Sequence, residues 1–455
     1  MLTEEKMSKK VVILIVALCM VLGVVTGCAP AAATPTETTA PTEATAAATG
    51  NPAATTAAGV DYSKYAGTEL VFLRHSGYDA DWMAEKAQEF YEKTGIKVTI
   101  EQVAYSELHN KIVVDISSDG GVYDMFATTD YWLPEFAADG WVVDQNQYLN
   151  DPSLYDPAFD LPDVSAAFLE ANTIDGKLLA MPWKFNSQFL VYRTDLVATP
   201  PTNWDEQLQM AEANNKDNVS GISLALAKTS IMDIYLNLLY QDGGTLLSDD
   251  LKTCNLDAPE AKEALEYLVQ LSKYTSDGAI NSHWDEAAAM MEQGNAAMAP
   301  MVNSQVGNIM STEKSMVTDK VGFAELPGKK ISSAASNTWG IAISHNSKNP
   351  EAAFLFIQYL MQPDIISEIV TSTNGGTIPV RASLLSDPDM QASYPWFKVM
   401  NSIATTPGHA FSYPKSIQTT SIMDVLAGHL QNAINGSESV DDALKNAKAE
   451  IEQLL

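Results

Sequence analysis

Between Glu69 and Ala127 the hydrophobic period switches repeatedly, and this constrains the fold more than any other feature of the chain. Glu69 to Leu73 reads as a strand. Asp81 to Lys93 then sets Trp82, Met83, Ala87, Phe90 and Tyr91 on one helical face, with Gly95 as the stop. Lys97 to Val103 is a second strand, Leu108 to Ile116 a second helix ending before Gly120-Gly121, and Tyr123 to Ala127 a third strand. Such a β-α-β-α-β series predicts an α/β fold built on a parallel sheet with helices on both faces. The same grammar returns later. Pro259 and Pro350 open helices with stripes at Ala264, Leu265, Leu268 and Val269 and at Phe354, Ile357 and Leu360. Ala296 to Ala299 and Gly340 to Ile343 read as buried strands, and Val440 to Leu455 as a closing amphipathic helix.

The segment before this series cannot join a core. Lys9-Lys10 lead into the apolar run Val11 to Val25, followed by Thr26-Gly27-Cys28. A charged start, a short apolar stretch and small residues before the cut describe a signal peptide. The run is at the lower limit of the roughly 17–25 residues that a membrane span requires. The small-small-Cys ending resembles the bacterial lipobox, which implies cleavage after residue 27 and acylation of Cys28 as the only membrane attachment. Ala29 to Gly59 is nearly all Ala, Thr, Pro, Glu and Gly, too poor in apolar surface to fold, and reads as a disordered stalk within a linker over 28–66. The body of about 390 residues that follows exceeds what one core usually supports, so two lobes are expected.

Composition excludes several classes. The chain carries 27 basic and 57 acidic side chains, net −30; loss of residues 1–27 removes three lysines and two glutamates and leaves −31. Nucleic acid is excluded as a partner, because phosphate backbones demand clustered cations. Of three cysteines, Cys19 leaves with the signal and Cys28 is acylated, so Cys254 stands alone, a packed small residue rather than a nucleophile. There is no metalloprotease, nucleophile-elbow or P-loop motif, and the six histidines are scattered. No metal, cofactor or catalysis is expected, and the molecule is expected to be a monomer.

Several ordered motifs resemble a known family. Tyr123-Asp124-Met125-Phe126, Trp132-Leu133-Pro134-Glu135-Phe136-Ala137 with Gly140-Trp141, Gly176 to Pro182, and Val191 to Leu196 are followed by Asp242-Gly243-Gly244, Ala258 to Leu265, Gly294 to Met298, Trp339 to Ser344 and Pro379-Val380-Arg381. Together, from about Thr68 to Leu455, the chain is similar to the extracellular solute-binding proteins of family 1, the sugar receptors of ABC importers. The resemblance implies a two-lobed periplasmic-binding-protein fold with the ligand cleft between lobes. Three hinge crossings are placed near Met181 to Asn186, Ser333 to Trp339 and Gly376 to Pro379. One lobe would comprise 67–184 with 338–376, the other 185–337 with 377–455. It further implies a small-molecule carbohydrate ligand, permease subunits as partners, and an extracytoplasmic location on a bacterial cell membrane.

A sugar site needs flat rings for C–H faces and Asp, Asn or Arg for hydroxyls. Trp339, at a loop end before a strand, is where the resemblance implies a stacking ring; a core role is the alternative. Trp183 and Asn186 follow the crossing proline Pro182, with Trp183 either in the cleft or packed at the hinge. Asp130 and Tyr131 lie at the C-terminal end of the third strand, where open α/β sheets bind ligands; Asp130 could instead cap a helix. His75 and Tyr78 occupy the equivalent loop after the first strand. Arg381 would grip hydroxyls or a cleft carboxylate, or make a surface salt bridge. Asp242 reads as a tight turn that relatives place near ligand, and Phe411 and Tyr413 lie where relatives carry another ring. With only Lys184 and Arg381 as candidate cations in these loops, an uncharged polyhydroxyl ligand fits best. The competing readings are a secreted glycoside hydrolase, a structural surface lipoprotein, and a binding protein for a non-sugar solute such as a glycerol phosphate.

Overall fold

The computed structural model describes residues 60–455 apart from 78 and 119, so the signal, Cys28, most of the stalk and Tyr78 lie outside the described residues. The expected β-α-β-α-β unit is present. Strands β1 (Glu69–His75), β2 (Lys97–Val103) and β3 (Met125–Thr129) are parallel, in the order β2-β1-β3. The helix Ala80–Thr94 buries Trp82, Met83, Ala87 and Phe90, as their spacing predicts, and ends at Gly95 with a left-handed φ of +75°. Tyr91 departs from the expected face: it is 45 % exposed, whereas Lys86 is buried in that stripe.

The sheet is mixed rather than purely parallel. After the short hairpin β4 (Thr173–Ile174) and β5 (Lys177–Leu178), β6 (Ala180–Arg193) runs for 14 residues. Later come β7 (Met298–Val302), β8 (Val321–Ala324), β9 (Ala334–Ile343), β10 (Ile378–Pro379) and β11 (Ala410–Phe411). Strand β9 enters antiparallel beside β3, and β6 pairs antiparallel with β9. The C-terminal half of β6 leaves β9 and pairs with β7 and β8 instead. One long strand thus belongs to two sheets. Strand β9 is shared in the same sense, its far end pairing with β11.

Each sheet carries its own helices. The first is packed by Ala80–Thr94 and Pro350–Leu360, where Phe90 meets Phe356 and Tyr359 with ring centroids 5.2 and 5.1 Å apart. The second body is built from the helices Ile231–Gln241, Pro259–Leu271, Thr419–Asn435 and Val440–Ile451. Each fully buried Phe or Leu in these stripes contributes about 1.5–3 kcal/mol of transfer energy. Cys254 is buried in this packing, and burial pushes its thiol up.

Between the two bodies, Phe185 lies opposite Thr338 on one side and Ile378 on the other, so three chain segments run side by side. Gly340 permits the close approach of β6, because a Cβ there would lie 2.7 Å from both Ala180 Cβ and Asn172 Oδ1. Asn303, fully buried after β7, fastens the segments. Its Oδ1 accepts from Ser187 N at 2.9 Å, and its Nδ2 donates to Gly376 O at 3.0 Å.

Candidate functional site

A cavity of about 390 Å³ opens where these segments meet the C-terminal end of β1. One wall is His75, Ser76 and Gly77 with Tyr105, the first residue of the helix Tyr105–Ile116. The floor comes from the shared strands through Lys184, Asn186, Asn337 and Trp339. The opposite wall is made where helices begin: Thr229 and Asp233 at Ile231–Gln241, and His283, Trp284 and Asp285 at Trp284–Glu292. A smaller cavity of about 170 Å³ shares Tyr105, Thr229, Asp233 and Asn337 with it and adds Tyr131, Trp132 and Tyr413.

Rings line both sides. Trp339 packs against His75 (centroids 4.4 Å), Trp132 (6.0 Å) and Tyr105 (6.1 Å), and is only 4 % exposed. Tyr105 is 39 % exposed and lines both cavities, so it offers the larger free face. Asn186, oriented so that its carbonyl accepts from Trp339 Nε1 at 3.1 Å, holds the indole from β6. Two buried polar atoms on lining residues, His75 Nδ1 and Asn337 Oδ1, have no hydrogen-bond partner among the described residues. Buried polar atoms are nearly always paired, so both are equipped for a ligand.

The electrostatics differ from wall to wall. Behind the β1 wall, Asp79 is fully buried between Arg74 and Lys184; it bonds the Arg74 guanidinium and accepts from Lys184 Nζ at 2.7 Å. Burial alone would raise its carboxyl, but the Lys184 and Arg74 charges outweigh burial and hold it well below the usual range. Burial and then the Lys184 charge drive the His75 imidazole down to about 3, so it is neutral at physiological pH. Lys184 extends its ammonium over the Trp183 ring at 4.5 Å. Across the cavity, burial pushes the Asp233 carboxyl up to about 7 against the pull of a hydrogen bond from the Tyr413 hydroxyl.

Of the residues singled out from sequence, His75, Asn186 and Trp339 line the central cavity, and Tyr131 and Tyr413 the side cavity, with ring centroids 4.9 Å apart. Asp130 sits behind them. It accepts from Thr338 N at 3.3 Å rather than capping the helix Leu133–Ala138, and burial raises its carboxyl to about 7.

Two expectations, for Arg381 and Phe411, are corrected, and two open readings, for Trp183 and Asp242, are decided. Arg381 lines neither cavity and makes no surface bridge. It is fully buried, donating to the carbonyls of Met361 (2.8 Å from Nε), Asp160 (3.1 Å) and Phe159, with Asp163 as its carboxylate partner at 3.3 Å. Trp183 is buried at a register shift between Pro182 and Lys184, a hinge position behind the cavity. Asp242 lies in the tight turn read from sequence, after Ile231–Gln241, and pairs with Lys329 (2.8 Å) and Lys330 (3.1 Å) rather than lining a cavity. Phe411 stacks on Tyr240 at 4.0 Å, away from both cavities. Tyr105, Asp233, Asn337 and the run His283-Trp284-Asp285 were not anticipated. Tyr105 was within reach, since it lies just past the C-terminal end of β2 as His75 lies at that of β1.

Comparison with known proteins places this geometry in a class. A family model described as bacterial extracellular solute-binding protein matches residues 76–365, and the chain belongs to that family. A probable amino-acid ABC transporter periplasmic-binding protein of Sinorhizobium fredii is 20% identical over 402 residues, covering 86% of this chain and 90% of that protein. The erythritol/L-threitol-binding protein of Mycolicibacterium smegmatis is 22% identical over 372 residues, covering 73% and 75%. Among solved structures, an ABC transporter solute-binding protein from Agrobacterium radiobacter in complex with ribitol matches with a TM-score of 0.78 at 24% identity, over 86% of this chain and 99% of that one. The fold is therefore the two-lobed binding-protein fold, with the cavity at the junction of the lobes. Among the described residues, no helix is long and apolar enough to cross a membrane.

Proposed function

We propose that the protein is a receptor that captures a carbohydrate, either a saccharide or a sugar alcohol, by closing its lobes and delivers it to the permease of an ABC importer. The observation that carries this reading is the junction cavity, which sets an exposed ring (Tyr105), a half-buried one (His75) and the buried indole of Trp284 beside amides and carboxylates (Asn186, Asn337, Asp233). Flat apolar faces with hydroxyl rims call for that combination. The lobes would be 67–184 with 338–376 and 185–337 with 377–455, moving as rigid bodies about the paired segments of β6, β9 and β10. The sugar-alcohol names of two relatives agree with this class.

A phosphate or carboxylate ligand is disfavoured. Among the described residues lining the central cavity the only lysine or arginine is Lys184, whose ammonium is already bonded to Asp79. A glycoside hydrolase is disfavoured by membership of a binding-protein family. Lipidation of Cys28 would tether the receptor to the membrane, and the molecule acts as a monomer without metal or cofactor. The test is calorimetry of the purified protein against a panel of saccharides, alditols, amino acids and glycerol phosphates, with the bound solute recovered and weighed by mass spectrometry. A saccharide or alditol that binds and returns intact supports the reading; binding confined to amino acids or phosphates, or recovery of cleaved product, overturns it.

A further inference from the structure

The central cavity adjoins a second space across Ser304 and Asn308. Ser304 and Asn308, which line it after β7, also line a wider groove of about 660 Å³ that continues along Gly307 to Lys314 and is bounded opposite by Ser372, Thr373 and Asn374. The groove is built closely. A Cβ on Gly307 would lie 2.5 Å from Thr373 O, so glycine lets the two walls approach, and Asn374 Nδ2 ties them by donating to Gly307 O at 3.1 Å. Its lining is mostly hydroxyl and amide, with Met310, Glu313 and Lys314 among it; Asn308 Oδ1 is held by Lys314 Nζ at 2.9 Å, and no aromatic ring takes part.

At its other end the central cavity runs into the aromatic side cavity through Tyr105, Asp233 and Asn337. Three spaces therefore adjoin in a row, ring-lined at one end and rich in hydroxyls and amides at the other. A ligand site of roughly 300–1,000 Å³ is ordinary, and the central cavity alone meets that measure. A single sugar or an alditol would be complete within it and would leave two built extensions without a use.

Resting on the carbohydrate reading, we infer that the ligand is a linear oligosaccharide. One end stacks in the Tyr131–Tyr413 cavity, the middle lies over Tyr105, and the other end emerges along the Ser304–Lys314 groove, held by hydrogen bonds alone.

The experiment is calorimetry on the full mature protein with neutral gluco-, manno- and xylo-oligosaccharides from monomer to hexamer, in α and β linkage, with ribitol and mannitol as alditols. In the linkage series that binds, Kd should fall at least ten-fold from the monomer to the member that fills the three spaces. Ser311→Ala and Thr312→Ala, which line the groove and not the central cavity, should weaken the longer members about ten-fold and leave the shortest binder nearly unchanged, at an unaltered melting temperature. A monomer or alditol that binds as tightly as its longer homologues, on wild-type protein alone, overturns the inference while leaving the carbohydrate reading intact. Equal weakening of all lengths by the groove variants overturns it too. If no saccharide or alditol of any length binds, the carbohydrate reading itself falls, and this inference with it.

Discussion

Two carboxylates beside the same cavity, one buried and one half-buried, are kept in opposite ways. Asp79 has Arg74 and Lys184 as partners and is ionised far below neutrality; Asp233 has a tyrosine hydroxyl and is pushed up to about 7. Burial penalises the charged form in both, the fully buried Asp79 and the half-buried Asp233, so the opposite directions reflect the neighbours. The contrast separates two kinds of wall. The β1 side is a fixed frame, its charges neutralised inside the protein before any ligand arrives. The helix-start side holds a group near its titration point whose state a ligand can change. If the lobes close on a ligand as proposed, a wall with its charges paired and a wall with a group near its titration point would play different parts.

The contrast is broken most severely at Asp79. Asp79→Asn leaves Arg74 and Lys184 buried with no carboxylate, and removing one partner of a buried pair costs about 3–5 kcal/mol. Urea denaturation at pH 7 should show a loss of that size. The sign with pH follows from the depressed carboxyl. Its contribution is present above the ordinary value of 3.8 and is lost only as pH falls toward the lower folded-state value, so the wild-type advantage should persist throughout pH 5–8. A variant as stable as wild type would mean that the frame is not held by this ion cluster.

The second test compares rings on the same side. Trp339 is packed among three rings, whereas Tyr105 presents an open face to both cavities. Tyr105→Ala should therefore weaken saccharide binding by about 1–3 kcal/mol, the scale of a buried aromatic contact, with little change in melting temperature. Trp339→Ala should lower both affinity and melting temperature, because it also opens a hole in the wall. If only Trp339→Ala affects binding, the stacking surface is the indole that the sequence pointed to.

How far such a wall can be read from sequence depends on how local its causes are. The β1 loop was legible because strand-helix-strand periodicity is local, and ligands gather at the C-terminal ends of parallel strands. That logic correctly led to the loops of His75 and Tyr131. The helix-start wall was not legible. Asp233 and Asp285 begin helices some 50 residues apart, and only the pairing of β6 with β7 and β9 brings those helix starts opposite His75. Arg381 shows the converse: a cation beside a crossing segment suits a cleft, but its guanidinium instead satisfies carbonyls that the packing of Phe159 and Met361 leaves unpaired. Sequence gives the chemical capacity of a side chain, and its direction is set by contacts distant along the chain. The mixed sheet was missed for the same reason, since nothing within β9 states which neighbour it meets.

The smallest effect is the most specific to the comparison. If a ligand hydroxyl donates to Asp233, binding requires the carboxylate, and the free protein must release a proton that it holds up to about pH 7. Apparent affinity should then be nearly constant above pH 8 and about ten-fold weaker at pH 6, roughly 1.4 kcal/mol per pH unit of protonation. Stability should move the other way. Because the folded-state value lies above the unfolded one of 3.8, the folded protein binds the extra proton between about pH 4 and 7, and the contribution of Asp233 to stability falls as pH rises through that window. Asp233→Asn should flatten both curves, while His75 stays neutral across the range and supplies no slope. Isothermal titration at pH 6, 7 and 8 in buffers of differing ionisation enthalpy would count the proton released. Proton release of equal size in wild type and Asp233→Asn would assign it to Asp130, the other carboxyl held near 7 behind the aromatic wall.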